Sequence, residues 1–149
     1  MLTRTLLCLC VALAACGSKA KPADPAPKAD TRPLFVRLGG LDAIRAVVDD
    51  FVASTGADPR INMFFTNTDI PRLKKMMVDD ICERTGGPCK YTGKPMKESH
   101  VNMKLKGEDF EAFMDDLEKT LDKLSVPARE KGEVLAAFRA QRSDVMPTR

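Results

Sequence analysis

The chain is 149 residues long, 30% charged and 44% hydrophobic, with a formal net charge of +3. Basic and acidic residues are interleaved, and the lysines and arginines do not cluster with aromatics, so no nucleic-acid footprint is present. With a single histidine, His100, a multi-histidine zinc centre is excluded.

At the N-terminus Arg4 precedes an apolar run over residues 6–13, too short to span a bilayer, and Leu13-Ala14-Ala15-Cys16 closes it with small residues before a cysteine. This pattern resembles the bacterial lipoprotein signal. The resemblance implies removal of residues 1–15 and acylation of Cys16, which would place the chain in the bacterial cell envelope as a lipid-anchored protein. Gly17, where an Asp would mark inner-membrane retention, leans toward the outer membrane. Residues 16–33 are Lys, Ala, Pro and Asp with almost nothing to bury, which reads as a tether. The remainder, 34–149, is long enough for one domain with its own core.

The domain's periodicity is helical throughout. A short helix over about 33–38 ends at Gly39-Gly40, and a second over about 41–54 has Ile44, Val47, Val48 and Phe51 on one face. Asp58-Pro59 opens a turn carrying Ile61, Met63, Phe64 and Phe65. Asp69 caps a helix over about 70–84 that tolerates Pro71 in its first turn and buries Leu73, Met76, Met77 and Ile81. Gly86-Gly87-Pro88 stops it. Pro95 starts a helix of about ten residues that places Met96, His100 and Met103 on one side. A helix over about 107–124 buries Phe110, Phe113, Met114, Leu117 and Leu121, and Pro127 opens a last one with Val134, Leu135 and Phe138 inward. The expectation is an all-α domain of about six helices.

Cys82 and Cys89 are the only cysteines outside the leader and its terminal Cys16. In an exported chain a disulfide between them is the default. A Cys-x6-Cys metal site is the rival, with no further histidine or cysteine nearby to complete four ligands.

The closing Leu38-Gly39-Gly40, Phe64-Phe65 after the second helix, Gly86-Gly87-Pro88, Tyr91-Thr92-Gly93 and Met96-Lys97-Glu98-Ser99-His100 follow one another in the order and spacing of a group 1 truncated haemoglobin. The chain resembles that family over about residues 34–145. The resemblance implies a trimmed globin, two helices over two enclosing haem b, with His100 as the proximal iron ligand. A lone imidazole among apolar neighbours suits that role, because iron satisfies one nitrogen while a backbone carbonyl or a side chain about one turn earlier could take the other N–H. By the same resemblance Phe51, Phe65, Ile81, Met96, Met103 and Phe110 line the pocket, Lys74 reaches a haem propionate, and Tyr91 lies near that edge. Covalent attachment is not expected, since no Cys-x-x-Cys-His occurs.

Three departures from the family bear on function. Val52 and Met77 stand where the family often has a tyrosine and a glutamine that hydrogen-bond bound oxygen, and Leu73 leaves the mouth apolar. Asp80 falls where an aromatic is common, which implies either a rotated helix with Asp80 exposed or a register loose by one residue. Met76 matches a position that in some members binds iron itself. The leading expectation is a membrane-tethered haem globin that reversibly binds oxygen, carbon monoxide or nitric oxide, with a reductase as a further partner. The alternatives are a His/Met redox centre, an enzyme acting on nitric oxide or peroxide, and a helical lipoprotein that has lost haem.

Overall fold

The computed structural model describes residues 30–146. The leader, Cys16 and most of the tether therefore lie outside the described residues. Among the described residues seven helices run in order: α1 (Leu34–Arg37), α2 (Gly40–Ala57), α3 (Ile70–Arg84), α4 (Met96–His100), α5 (Gly107–Lys123), α6 (Ala128–Arg139) and α7 (Arg142–Val145), with a 3-10 turn at Asn62–Phe65. No strand occurs among the described residues, and none of their helices is long and apolar enough to cross a membrane.

The helix ends follow from local chemistry. Gly39 closes α1 at φ +102°, a left-handed conformation that strains residues with a Cβ. Asp69 accepts the Arg72 N–H at 3.0 Å and so caps α3, and the Asp109 carboxylate accepts the Lys106 N–H at 2.8 Å at the start of α5. A Cβ on Gly87 would lie 2.5 Å from the Phe35 ring and 2.6 Å from the Cys82 sulfur, so only glycine lets the chain turn this close to α3.

α2 packs on both α3 and α5, and α5 packs on α6, so the pair α2/α3 lies over the pair α5/α6. This is the two-over-two layering expected. Between the layers Phe51, Phe110, Met114, Leu117, Leu121, Val134 and Leu135 form one buried cluster, and Ile44, Val48, Val52, Ile81 and Cys82 form a second under α3. Phe113 meets the edge of Phe51 with ring centroids 4.7 Å apart. Arg37, nearly buried, forms ion pairs with Glu130 and Glu133 and ties α1 to α6.

Two elements differ from expectation. The helix after Pro95 is five residues long rather than ten; it gives way to a turn at Val101–Met103, and Lys104 then adopts a left-handed φ of +54°. The chain also ends its described part in an unforeseen short helix, α7, which packs against α4.

Candidate functional site

α4 has no tightly buried residue of its own; its inward face borders a cavity of about 480 Å³. α3 supplies one wall through Leu73, Met76, Met77, Asp80 and Ile81. Met96, His100, Met103 and Leu105 supply another. Phe64 and Phe65 from the 3-10 turn, Phe110 and Phe113 from α5, and Phe138 from α6 complete it. The volume lies within the range of cofactor sites, and the walls are mostly apolar with a few polar groups.

His100 is the chemically distinctive group in this cavity. Its Nδ1 lies 2.7 Å from the Met96 carbonyl oxygen, one helical turn back. A carbonyl only accepts, so Nδ1 carries the proton and Nε2 keeps its lone pair. No hydrogen bond to Nε2 occurs among the described residues. An imidazole with one nitrogen fixed by backbone and the other available is the arrangement a metal ligand requires.

Beyond the histidine the wall is strapped at one end. Cys82, fully buried, is joined to Cys89 as a disulfide. Glu83 accepts the Tyr91 N–H at 3.0 Å and pairs with Lys90 at 3.2 Å, contacts that hold its carboxyl below the usual carboxylate range. Tyr91 donates its hydroxyl to the Lys94 carbonyl at 2.7 Å. Burial, and then the nearby Asp80 charge, push that phenol up, which keeps it a neutral donor.

Of the residues singled out from sequence, Phe65, Leu73, Met76, Met77, Ile81, Tyr91, Met96, His100, Met103 and Phe110 line this cavity. Phe51 and Val52 do not. Both are buried in the helix-packing core, where Phe51 packs edge-on against the cavity-lining Phe113. Lys74 is also elsewhere: its Nζ pairs with Asp49 of α2 at 2.9 Å, while Arg72 and Lys94 are the cations at the cavity's exposed edge. Asp80 is not exposed. It is 6% exposed, lines the cavity, and pairs with Arg84 at 2.7 Å, so a salt bridge accompanies its burial there. Sequence reading also missed buried Gln141, which reaches the cavity because α7 packs on α4.

A family model for bacterial-like globins matches residues 33–146. The chain belongs to this family of truncated globins. It is 34% identical over 113 residues to a group 1 truncated hemoglobin of Tetrahymena pyriformis, an alignment covering 76% of this chain and 93% of the relative. Against the group 1 truncated hemoglobin GlbN of a Synechocystis strain the identity is 34% over 119 residues, covering 76% and 96%. The crystal structure of the Tetrahymena pyriformis truncated hemoglobin in its Fe(III) form superposes with a TM-score of 0.75 at 32% identity, covering 78% of this chain and all of the other.

The residues present fit a haem. This truncated globin offers one imidazole with a free nitrogen, apolar walls of Phe, Met and Leu that stay half-exposed in the chain alone, and Arg72 and Lys94 at the open edge where carboxylates could be met.

Proposed function

We propose that this globin holds haem b through His100 and binds a small diatomic gas reversibly, while tethered to the bacterial envelope through a lipidated Cys16. The observation that carries the reading is the Nδ1–H of His100 given to the Met96 carbonyl, which leaves Nε2 for iron. Bound haem supplies an iron with a coordination position open to a gas molecule. Every other part of the task belongs to the chain. The Met96 carbonyl orients the imidazole and raises its basicity. Leu73, Met76, Met77 and Ile81 give α3 an aliphatic and thioether wall that excludes water and offers a gas no hydrogen-bond donor from those four side chains. Such a wall favours carbon monoxide relative to oxygen, whose outer atom carries partial negative charge and gains most from a donor. The disulfide and Glu83 hold the far end of the same wall.

The tether is supported by the Leu13-Ala14-Ala15-Cys16 pattern and the Pro, Ala and Lys stretch that follows. A Cys16→Ala chain should move from the membrane fraction to the soluble fraction of the producing cell, with the loss of lipid read by mass spectrometry.

A second reading is favoured by the presence of both Met76 and Met77 on the cavity wall: with haem bound, one of their thioethers would ligate iron in addition to His100, and the protein would serve electron transfer. Absorption spectra of the haem-loaded protein in ferric, dithionite-reduced and carbon-monoxide-bound states decide. A five-coordinate reduced form that takes carbon monoxide quickly supports the gas-binding globin. A six-coordinate, low-spin reduced form that resists it, and that becomes five-coordinate in Met76→Leu or Met77→Leu, supports the redox centre. No Soret band on adding haemin, or an unchanged one in His100→Ala, overturns both.

A further inference from the structure

The interleaving of charge along the chain fails in one place. The seventeen residues from Lys90 to Lys106 hold five lysines, Lys90, Lys94, Lys97, Lys104 and Lys106, against one carboxylate, Glu98. This segment alone exceeds the whole chain's net +3, and all five lysines are exposed. Within it Lys90, Lys94 and Lys106 pair with Glu83, Glu98 and Glu108, which leaves Lys97 and Lys104 without a carboxylate partner. Among the described residues every lysine and arginine has a carboxylate oxygen within 4.0 Å except Arg72, Lys97, Lys104 and Arg139. Two of those four lie in the basic segment, and Arg72 shares the cavity edge with Lys94. Among them Val101, directly after His100, is 55% exposed.

Unpaired cations close together in one exposed segment create a field that steers an anionic partner and sets its orientation, and an exposed apolar side chain between them adds burial on contact. We propose that this face docks an acidic one-electron carrier protein that reduces the haem iron, an inference resting on the haem reading above. Placement favours a carrier. Lys97 shares the five-residue α4 with His100, and Val101 follows it directly, so a partner seated there lies about one helix diameter, roughly 10 Å, from the iron ligand. A bilayer is less well matched: an interfacial segment needs a stripe of large apolar residues, and the exposed large hydrophobic side chain here is Val101 alone. In the transfer one electron leaves the carrier's reduced cofactor and converts ferric to ferrous iron, leaving the carrier oxidised; no bond is made or broken.

The test uses the full chain with Cys16→Ser, loaded with haem, and a reduced [2Fe–2S] ferredoxin as the acidic carrier. Stopped-flow reduction of the ferric haem should slow steeply with added salt and fall by about tenfold or more in Lys97→Glu/Lys104→Glu. Calorimetric affinity for the oxidised ferredoxin should fall in parallel. Arg45→Glu, at an exposed position of α2, should leave both unchanged. The Soret spectrum and reduction by dithionite should be identical in all these chains, which separates a failure of docking from a failure of haem binding. Reduction indifferent to salt and to the double charge reversal overturns the proposal. So does binding to phosphatidylglycerol vesicles that the double reversal abolishes while ferredoxin reduction persists, since the face would then belong to a membrane.

Discussion

Along α2 and α5 the chain buries Val48, Phe51, Leu117 and Leu121 to 1% exposure or less, whereas in the 3-10 turn and α4 no side chain is fully buried. Both regions are rich in apolar residues; they differ in what covers them. The core closes on its own atoms at crystal-like density. Around the cavity Phe64, Phe65, Met96 and Met103 stay half-covered, so their burial free energy, about 25 cal/mol per Å², is available to a bound apolar group. Stability and cofactor binding therefore reside mainly in different residues, with Phe110 and Ile81 shared between core and cavity wall.

The sharpest way to break that division is to cut each region once. His100→Ala should weaken haem retention by about two orders of magnitude or more, judged by haem transfer to apomyoglobin, yet leave the melting of the haem-free protein nearly unchanged. Phe51→Ala should do the reverse. Loss of its packing on Phe113 costs about 3–5 kcal/mol, read by denaturant unfolding of haem-free and haem-loaded protein alike. If His100→Ala unfolds the haem-free chain, or Phe51→Ala empties the cavity without lowering stability, the two regions are one.

The core was the more legible of the two from sequence, for a physical reason. α3 is legible at 70–84 because its ends carry chemistry, a capping Asp69, Pro71 in the first turn and glycines at 86 and 87. Periodicity alone picks out Ile44, Val48, Leu117 and Leu121 as buried. α4 is marked at its start by Pro95 but has no stop signal at its end. The spacing of Met96, His100 and Met103 is met equally by a long helix or by five helical residues and a turn. Periodicity places Phe51 inward, but whether inward means core or cavity is decided by how α5 crosses α2, which no local pattern encodes. Lys74 is answered by Asp49 on another helix, and Gln141 and Val145 meet the cavity only because α7 folds back on α4. Long-range pairings of this kind are the part of a site that one sequence conceals.

Smaller effects sharpen the boundary between the regions. Cys82→Ala/Cys89→Ala removes a crosslink that joins buried α3 to the loop carrying Tyr91, and should cost about 2–3 kcal/mol of unfolding free energy. Because Ile81 and Tyr91 flank that link on the cavity wall, carbon monoxide rebinding should also become heterogeneous, as flash photolysis would show. Met77→Gln supplies an amide donor to the apolar wall. Oxygen dissociation should slow by about tenfold, the worth of one hydrogen bond of about 1.4 kcal/mol, with carbon monoxide association little altered. Equal slowing for both gases would mean that the residue acts by bulk.

The weakest expected effect lies where core and cavity wall meet. Arg60 pairs with Asp58 at 2.6 Å, Asp115 at 2.9 Å and Asp116 at 3.5 Å, fastening the turn that carries Phe64 and Phe65 to α5. Asp116 is 6% exposed, with one carboxylate oxygen lacking a hydrogen-bond partner. Burial, and then the charge of Asp58, push its carboxyl up, while hydrogen bonds from Arg60 hold Asp58 down to about 2. The two groups have opposite consequences. Because the folded protein protonates Asp116 more readily than the unfolded chain does, acidification from pH 7 toward about 4 should raise stability through this residue. Below about 4 Asp58 reverses the trend, since the unfolded chain then takes up the proton first. Asp116→Asn imitates the protonated form at every pH. Its unfolding free energy should exceed that of the parent at pH 7 and converge on it as pH falls toward 4. A parent chain at least as stable as Asp116→Asn at pH 7 would show that Arg60 compensates the buried charge in full, and that this junction is held as firmly as the core beside it.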